Sequence, residues 1–286
     1  MDLALRRRFF AEEVEAVGHL RTPGLVDALA TVPREAFLPA GPWTVVSEGA
    51  MGAPRATPDA DPARVYHCLA VAIDAERQIY NGGPVTLGVA IDALAPQPGE
   101  HVVHVGCGSG YYTALMAHCV GPRGRVTAIE IDSTLAAAAA RNLADRPWVS
   151  VVQGEGRGIG RCDALLVNAG TTHPLDEWLD GLAPPGRLVL PLTVAAPDGS
   201  PMGRGPLVHV ARAGGAWTAR LLTFVAIYSA HGLRDEGRAP ALRAALARNP
   251  VPPLRALRRE PHEEAATCWL HAPGACFSTM EPGSLA

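Results

Sequence analysis

The chain has 286 residues, of which 48% are hydrophobic, 19% are charged and 5% are aromatic, and its formal net charge is -3. A chain of this length can bury a full hydrophobic core without disulfides or metals, and this composition excludes intrinsic disorder as the main state. The small negative charge provides no global positive field for a phosphate backbone, so nucleic acid is disfavoured as a partner.

The N-terminal sequence and the cysteines bear on the cellular compartment. Charges interrupt the N-terminus where a signal peptide needs an apolar stretch, and no apolar run is long enough to span a bilayer. The six cysteines form no C-x-x-C pair. We therefore expect a cytoplasmic protein with reduced thiols and no membrane segment. The absence of C-x-x-C and H-x-x-x-H spacing predicts that no metal is bound.

The N-terminal part of the chain is predicted to contain helices and one long loop. Apolar residues at helical spacing predict helices over residues 2–17 and 23–32. Residues 39–62 mix Gly, Pro and Ala with almost no periodicity, which predicts a loop. A third helix is predicted over residues 85–94.

From residue 100 onward, predicted strands alternate with predicted helices. The strands are expected over residues 100–105, 125–131, 148–152, 163–167 and 186–192. The helices between them are expected over residues 111–119, 134–143 and 175–182. This alternation predicts an α/β fold with a doubly wound parallel sheet.

A hairpin is predicted where the sheet ends. Two strands, over residues 206–211 and 216–224, flank a Gly-Gly turn, so they should pair antiparallel. Beyond them, a helix is predicted over residues 239–247, and a last apolar segment covers residues 267–277.

The strongest motif, VHVGCGSGYY, predicts a nucleotide site. It places Gly106, Gly108 and Gly110 between the first core strand and its helix, where backbone N–H groups can approach a ligand closely. Glu130 ends the next strand, and a carboxylate there accepts hydrogen bonds from both hydroxyls of a ribose. Tyr111 stands where the last glycine of the dinucleotide motif G-x-G-x-x-G would fall, which disfavours NAD.

S-adenosylmethionine sites of the seven-stranded methyltransferase class fit the pattern better. They have G-x-G-x-G, no second phosphate to bind, and an antiparallel hairpin at the sheet end, and the chain matches on all three counts. Glu155, after the third strand, stands where such enzymes bind the adenine amino group. The alternative is that Glu130 and Glu155 are solvated strand ends.

Several segments resemble the protein-L-isoaspartate O-methyltransferase family in collinear order. They are VPREAFLP at residues 32–39, the glycine-rich motif, VTAIEID, GEG, and NAGTTHPLDEWLDGLAPPGRLVLPLT at residues 168–193. The resemblance extends to about residue 228. It implies a seven-stranded, Rossmann-like class I methyltransferase fold and methyl transfer from S-adenosyl-L-methionine to a carboxylate in a peptide.

The resemblance also implies an organisation in three parts and a set of binding residues. Residues 1–84 form a helical and loop region that contributes to the acceptor site, residues 85–230 form the cofactor-binding core, and residues 231–286 form a C-terminal extension outside the resemblance. The residues expected to bind the cofactor are Gly82, Gly106, Cys107, Gly108, Gly110, Tyr111, Glu130, Ile131, Gly154, Glu155, Gly156 and Asn168.

The acceptor site departs from the family. Members have Thr-Ile-Ser-Ala-Pro just before the first core helix, and the corresponding residues here are Tyr80-Asn81-Gly82-Gly83-Pro84, so Gly82 replaces the serine. Asn81 and Tyr80 could donate to the acceptor carboxylate instead, since an amide and a phenol are both donors. Equally, this segment could be only a turn. We predict weak activity on isoaspartyl peptides.

The acceptor decides whether the site needs a base. A carboxylate is ionised at neutral pH and needs only positioning, whereas a hydroxyl needs a general base. His173 follows the fourth strand and is the candidate base, although it could instead pack at the next helix start. His104, inside the first core strand, is expected to be a core residue.

The expected partner is a peptide, protein or small-molecule methyl acceptor. Three alternatives to carboxylate methylation stay open. They are a small-molecule hydroxyl methyltransferase, an RNA methyltransferase and a non-catalytic module that binds the cofactor.

Overall fold

The structure is a computed structural model that describes residues 2–47, 53–196, 200–248 and 250–283. The chain divides into two compact units. Unit 1 comprises Met1–His101 and Cys107–Gln153, and unit 2 comprises Val102–Gly106 and Gly154–Ala286. The organisation in three parts that the resemblance implies stays a prediction.

The secondary-structure elements are numbered in chain order. The helices are α1 (Leu3–Gly18), α2 (Pro23–Thr31), α3 (Pro84–Leu94), α4 (Tyr111–Val120), α5 (Ser133–Asn142), α6 (Asp176–Gly181) and α7 (Ala239–Leu246). The first strands are β1 (Thr44–Ser47), β2 (Arg55–Ala56), β3 (Leu69–Asp74), β4 (Ile79–Tyr80), β5 (His101–Val105), β6 (Arg125–Glu130), β7 (Val149–Gln153) and β8 (Cys162–Val167). The later strands are β9 (Leu182–Pro191), β10 (Val194–Ala195), β11 (Met202–Ala213), β12 (Ala216–Tyr228), β13 (Ala256–Arg258), β14 (Cys268–Leu270) and β15 (Cys276–Ser278).

Unit 1 begins with the two helices that the sequence predicts. The Asp2 side chain caps α1 by accepting from the Ala4 N–H at 3.0 Å, and Pro23 opens α2, where a missing N–H costs nothing. The apolar faces of α1 and α2 bury Phe10, Val14 and Leu25. These buried faces account for the helical periodicity in the sequence.

The predicted loop over residues 39–62 is wrong in part. Thr44–Ser47 forms β1, which pairs antiparallel with β3 in a four-stranded sheet of order β2-β1-β3-β4. These strands are two to six residues long, and the partner of β1 in β3 lies more than twenty residues away, so a local pattern does not reveal them. Residues 48–52 of the predicted loop lie outside the described residues.

The alternating strands and helices of the core are present where the sequence predicts them. In unit 1, β6 and β7 pair in parallel, with Val126 opposite Val149, and α4 and α5 belong to the same unit. In unit 2, β5, β8 and β9 pair in parallel. The fold is therefore mixed α/β, as expected, although the number of strands exceeds the predicted seven.

The hairpin of β11 and β12 is confirmed, but the prediction that it ends the sheet is wrong. Gly214 and Gly215 form its turn with φ of 56° and 83°, and the two strands pair antiparallel. In unit 2 the sheet order is β14-β15-β13-β12-β11-β9-β8-β5. The C-terminal extension thus adds strands beyond β12, and it buries Leu257, Trp269 and Phe277. These strands cover an edge that would otherwise be open.

The helices of the described residues are all too short or too polar to cross a bilayer.

Candidate active site

The glycine-rich turn before α4 has no room for side chains at its glycines. In unit 1, Gly108 and Gly110 adopt φ of 55° and 96°, a region that favours glycine. A Cβ at Gly108 would lie 3.2 Å from Ile73 Cδ1, and one at Gly110 would lie 2.9 Å from Leu143 Cδ1. Side chains are therefore excluded at these two glycines, and the turn leads directly into the N-terminus of a ten-residue helix.

The Glu130 carboxylate is fixed against this turn. Its Oε2 accepts from the Gly108 N–H at 2.7 Å, and its Oε1 accepts from the Asp132 N–H at 3.1 Å. The residue is only 7% exposed, while the next side chain, Ile131, is 43% exposed. Each carboxylate oxygen keeps a second lone pair, so the group can still accept from two hydroxyls. A buried carboxylate beside an exposed apolar side chain suits a ribose with an attached base.

Arg77 connects the β3–β4 turn to the end of β6. Its Nε donates to Asp74 Oδ2 at 2.6 Å, and its Nη1 donates to Asp132 Oδ2. The hydrogen bond from Arg77 holds the pKa of the Asp132 carboxyl below its usual value. Within unit 1, this arginine therefore keeps the short hairpin beside the Glu130 turn. The sequence gives no pattern that distinguishes it from a solvated arginine.

Asn81 carries an unused hydrogen-bond donor. Its side chain is 8% exposed, and its Oδ1 accepts from the Val71 N–H at 3.0 Å and from Arg34 Nη2 at 3.4 Å. Among the described residues, the buried Asn81 Nδ2 has no hydrogen-bond partner. The neighbouring Tyr80 is half-buried, and this burial raises the pKa of its phenol. Asn81 is thus oriented by its oxygen with its amide group free to donate.

Arg34, in the VPREAFLP segment, is a buried cation that sequence reasoning missed. Its Nη1 donates to the Val65 carbonyl at 2.7 Å, and its Nη2 donates to the Leu69 carbonyl at 2.6 Å. Its guanidinium carbon lies 5.6 Å from the Phe10 ring centroid and 5.8 Å from that of Tyr111. Carbonyls and aromatic faces therefore replace the water that a charged side chain normally requires.

Gly82 takes a backbone conformation that the family's serine would not adopt easily. Its φ is +84°, and a Cβ there would lie 3.0 Å from Leu87 Cδ2. Its carbonyl accepts from the Tyr112 hydroxyl at 3.1 Å, which ties the segment to α4. A serine at this position would therefore strain the local backbone.

Two residues expected to bind the cofactor have side chains that pack in the interior of unit 1. The Tyr111 ring is buried, with centroids 5.7 Å from Phe37 and 5.1 Å from Tyr112. The Cys107 side chain is buried too, and burial raises the pKa of its thiol. Their side chains therefore serve packing, and a role toward the cofactor stays a prediction for both.

In unit 2, the predicted residues Gly106, Gly156 and Asn168 lie around the end of β5. Asn168 donates twice, from its N–H to the Val105 carbonyl at 2.8 Å and from Nδ2 to the Gly106 carbonyl at 3.4 Å. Gly156 has φ of 96°, and a Cβ there would lie 2.5 Å from Val105 Cγ1. These contacts explain why small residues are needed here.

Glu155, predicted to bind an adenine amino group, lies beside the C-terminal extension. Its Oε1 is 3.9 Å from His231 Nδ1, and 43% of the side chain is exposed. Gly154, next to it, is half-buried. The binding roles of Gly154 and Glu155 stay predictions.

His173 lines a cavity of about 200 Å³ in unit 2. Arg238 from the start of α7, and Leu270 and Phe277 from the C-terminal strands, line the same cavity. Burial, reinforced by the Arg238 charge, lowers the pKa of His173, and its Nδ1 lies 3.0 Å from Thr172 Oγ1. The imidazole is therefore neutral at neutral pH, as a base must be.

His104 is a core residue, as the sequence predicts. It is fully buried in β5, and burial lowers its pKa to about 3.

Comparison with known proteins gives one consistent family. A family model described as protein-L-isoaspartate(D-aspartate) O-methyltransferase matches residues 53–198. The protein-L-isoaspartate O-methyltransferase of Aeropyrum pernix is 31% identical over 194 residues, which are 65% of this chain and 66% of that protein. The enzyme of the same name from Methylorubrum populi is 34% identical over 197 residues, which are 67% of this chain and 81% of that protein.

Solved structures with the same name share the fold. One protein-L-isoaspartate O-methyltransferase superposes with a TM-score of 0.62 at 18% identity, covering 84% of this chain and 69% of that one. A Plasmodium falciparum structure described under this name, in complex with S-adenosyl-L-homocysteine, gives a TM-score of 0.57 at 17% identity. It covers 78% of this chain and 97% of that one. These likenesses show the class I methyltransferase fold.

Proposed function

Because the chain belongs to the protein-L-isoaspartate O-methyltransferase family, we propose that it transfers a methyl group to a carboxylate of a peptide or peptide-like molecule. Like the family's members, it is an S-adenosyl-L-methionine-dependent methyltransferase, and S-adenosyl-L-methionine is its cofactor. When bound, this cofactor supplies a methyl group on a positively charged sulfur, which an acceptor attacks in line.

The residues of unit 1 fit this cofactor. Gly108 and Gly110 carry no side chains, so a ligand can approach the backbone of their turn closely. Glu130 would accept from the ribose hydroxyls with the lone pairs that Gly108 and Asp132 leave unused. Ile131 would contact the base with its exposed apolar side chain.

The proposal of a carboxylate acceptor rests on one observation: the side-chain Nδ2 of buried Asn81 has no hydrogen-bond partner among the described residues. A buried amide N–H without a partner costs free energy, and an ionised carboxylate is the strongest acceptor that could satisfy it. The Gly82–Tyr112 hydrogen bond ties this donor's segment to α4, the helix that follows the glycine turn. A carboxylate also needs no base, because it is already ionised at neutral pH.

The second candidate is methylation of a hydroxyl, and one observation favours it. His173 is half-buried, its pKa is lowered, and it lines a cavity, which together are properties of a general base. In that case the acceptor hydroxyl would donate its proton to the imidazole.

The test uses radiolabelled S-adenosyl-L-methionine with peptide pools, small-molecule extract and RNA. For a carboxylate acceptor, Asn81→Asp should lower the rate about a hundredfold or more, because the second oxygen repels the substrate. This variant keeps the oxygen that accepts from Val71 and Arg34, and an unchanged melting temperature shows that a loss of rate does not reflect unfolding. The labelled product should release methanol in mild alkali, as a methyl ester does.

His173→Ala provides the matched comparison. For a carboxylate acceptor, this variant should keep the rate within about threefold, and the wild-type rate should stay flat between about pH 8 and pH 6. A loss of about a hundredfold in His173→Ala, with an alkali-resistant product, would instead establish the hydroxyl reaction. Labelling of RNA alone would reject both.

We also propose a cytoplasmic location. All six cysteines are free thiols in the structure, which suits a reducing compartment.

A further inference from the structure

Four potential metal ligands converge in the C-terminal extension, within unit 2. They are His262 in the loop before β14, Cys268 at the start of β14, His271 just after β14, and Cys276 at the start of β15. Their ligand atoms all lie within 4.8 Å of one another. We refer to these four residues as the Cys2His2 cluster. The proposed methyltransferase function does not use any of them.

The His262 ring is oriented as a ligand. Its Nδ1 lies 2.8 Å from the Glu260 carbonyl oxygen, which can only accept, so Nδ1 carries the proton. Its Nε2 then has a free lone pair, and it lies 3.7 Å from Cys268 Sγ. In a tetrahedral zinc site, bond lengths of about 2.1 Å to nitrogen and 2.3 Å to sulfur place these two atoms about 3.6 Å apart. A backbone carbonyl that fixes the outer nitrogen is also typical of ligating histidines.

The other three members of the Cys2His2 cluster also have surroundings that suit metal ligands. Cys268 and Cys276 are almost fully buried, and the Ala265 N–H donates to Cys268 Sγ at 3.4 Å, which would stabilise a thiolate. The Nδ1 of His271 is buried and has no hydrogen-bond partner among the described residues. Such a nitrogen is costly unless something binds it.

We propose that the Cys2His2 cluster binds one zinc ion. Two thiolates and two imidazoles form a donor set that zinc prefers, and the two thiolate charges neutralise the ion. Four protein ligands fill the tetrahedral coordination and leave no open position, so the ion is structural. It takes no part in methyl transfer.

The segment around the Cys2His2 cluster is built from short strands. β13, β14 and β15 have three residues each, and their packing depends on a few large side chains, such as Trp269 and Phe277 with ring centroids 6.4 Å apart. Trp269 also donates to the Ala245 carbonyl of α7 at 3.2 Å. Small modules of this kind commonly gain stability from a structural metal.

The test measures metal content in full-length protein without an affinity tag. After equilibration with zinc and a reductant, followed by dialysis, mass spectrometry of the metal should give about one zinc ion per chain. Cys268→Ala and Cys276→Ala should reduce it to background. Cys162→Ala, which removes another buried thiol of unit 2 outside the cluster, should keep the full content.

If the cysteine variants do not fold, cobalt titration of the metal-depleted wild-type chain tests whether the two cysteines bind a metal. Tetrahedral thiolate coordination gives a sulfur-to-cobalt charge-transfer band, and zinc should abolish it by displacing cobalt. A wild-type chain that binds no zinc, full zinc content in the double variant Cys268→Ala/Cys276→Ala, or a disulfide between these two cysteines would each overturn the proposal. None of these results depends on methyltransferase activity.

Discussion

Replacing Glu130 by glutamine tests the assignment of the ribose site most directly. The glutamine keeps the shape of the side chain and one carbonyl oxygen that can accept from the Gly108 N–H now bonded at 2.7 Å. It removes the charge and replaces the other acceptor oxygen by an NH2 group, so one hydrogen bond from a ribose hydroxyl weakens and the other is lost, at about 1 to 1.5 kcal/mol each. The sum of about 2 to 3 kcal/mol corresponds to a Kd for S-adenosyl-L-homocysteine that is about 30- to 150-fold higher.

Isothermal titration calorimetry with S-adenosyl-L-homocysteine measures this change. The matched control is Asp132→Asn, which removes a charge two residues away and preserves the cap of α5, since Asn caps a helix as well as Asp. The control should change the Kd by less than about threefold. Unchanged affinity in Glu130→Gln, or an equal loss in both variants, would refute the assignment.

Three further predictions concern the backbone and the buried charges. Wild-type turnover of an isoaspartyl peptide should be near background. Gly82→Ser should not restore it, because φ at this residue is +84° and Leu87 Cδ2 would lie 3.0 Å from the new Cβ. Rapid methylation of the peptide by the variant would contradict this explanation. Arg34→Met should lower the free energy of unfolding by about 3 to 5 kcal/mol in urea, while exposed Arg8→Met should change it by less than about 0.5 kcal/mol. Burial lowers the pKa of His104 to about 3, so between about pH 6.5 and pH 3 the unfolded state binds one more proton than the folded state. The free energy of unfolding should therefore decrease as the pH is lowered through this range, by up to about 1.4 kcal/mol per pH unit. His104→Val should reduce the slope of unfolding free energy between about pH 6 and pH 4 by that amount, and an unchanged slope would assign the acid sensitivity to other groups.

The sequence predicts the core well because its signals there are local. Gly108 and Gly110 mark a turn that only glycine adopts readily, and apolar strands alternate with helices on each side of it. Gly214 and Gly215 likewise specify the β11–β12 hairpin. The buried carboxylate of Glu130 follows from its position at a strand end.

Non-local interactions limit the prediction elsewhere. β1 is a strand because β2 and β3 pair with it, and no periodicity within four residues can show that. A buried arginine such as Arg34 has the same local pattern as an exposed one, because its partners are carbonyls that any residue could supply. The Cys2His2 cluster has the spacing H-x5-C-x2-H-x4-C, and its Cys268-x-x-His271 pair was the available sequence signal.

The hydrogen bonds of Arg34 bear on where the chain can be divided. The stretch that the family model matches, residues 53–198, excludes this arginine but contains the carbonyls of Val65 and Leu69 and the Asn81 oxygen that it satisfies. An excised fragment with those bounds would bury acceptors that have lost their donor. The stretch matched by the family model is therefore smaller than the region that can fold independently. An expression fragment of this enzyme must retain the segment that carries Arg34, although the family model begins at residue 53.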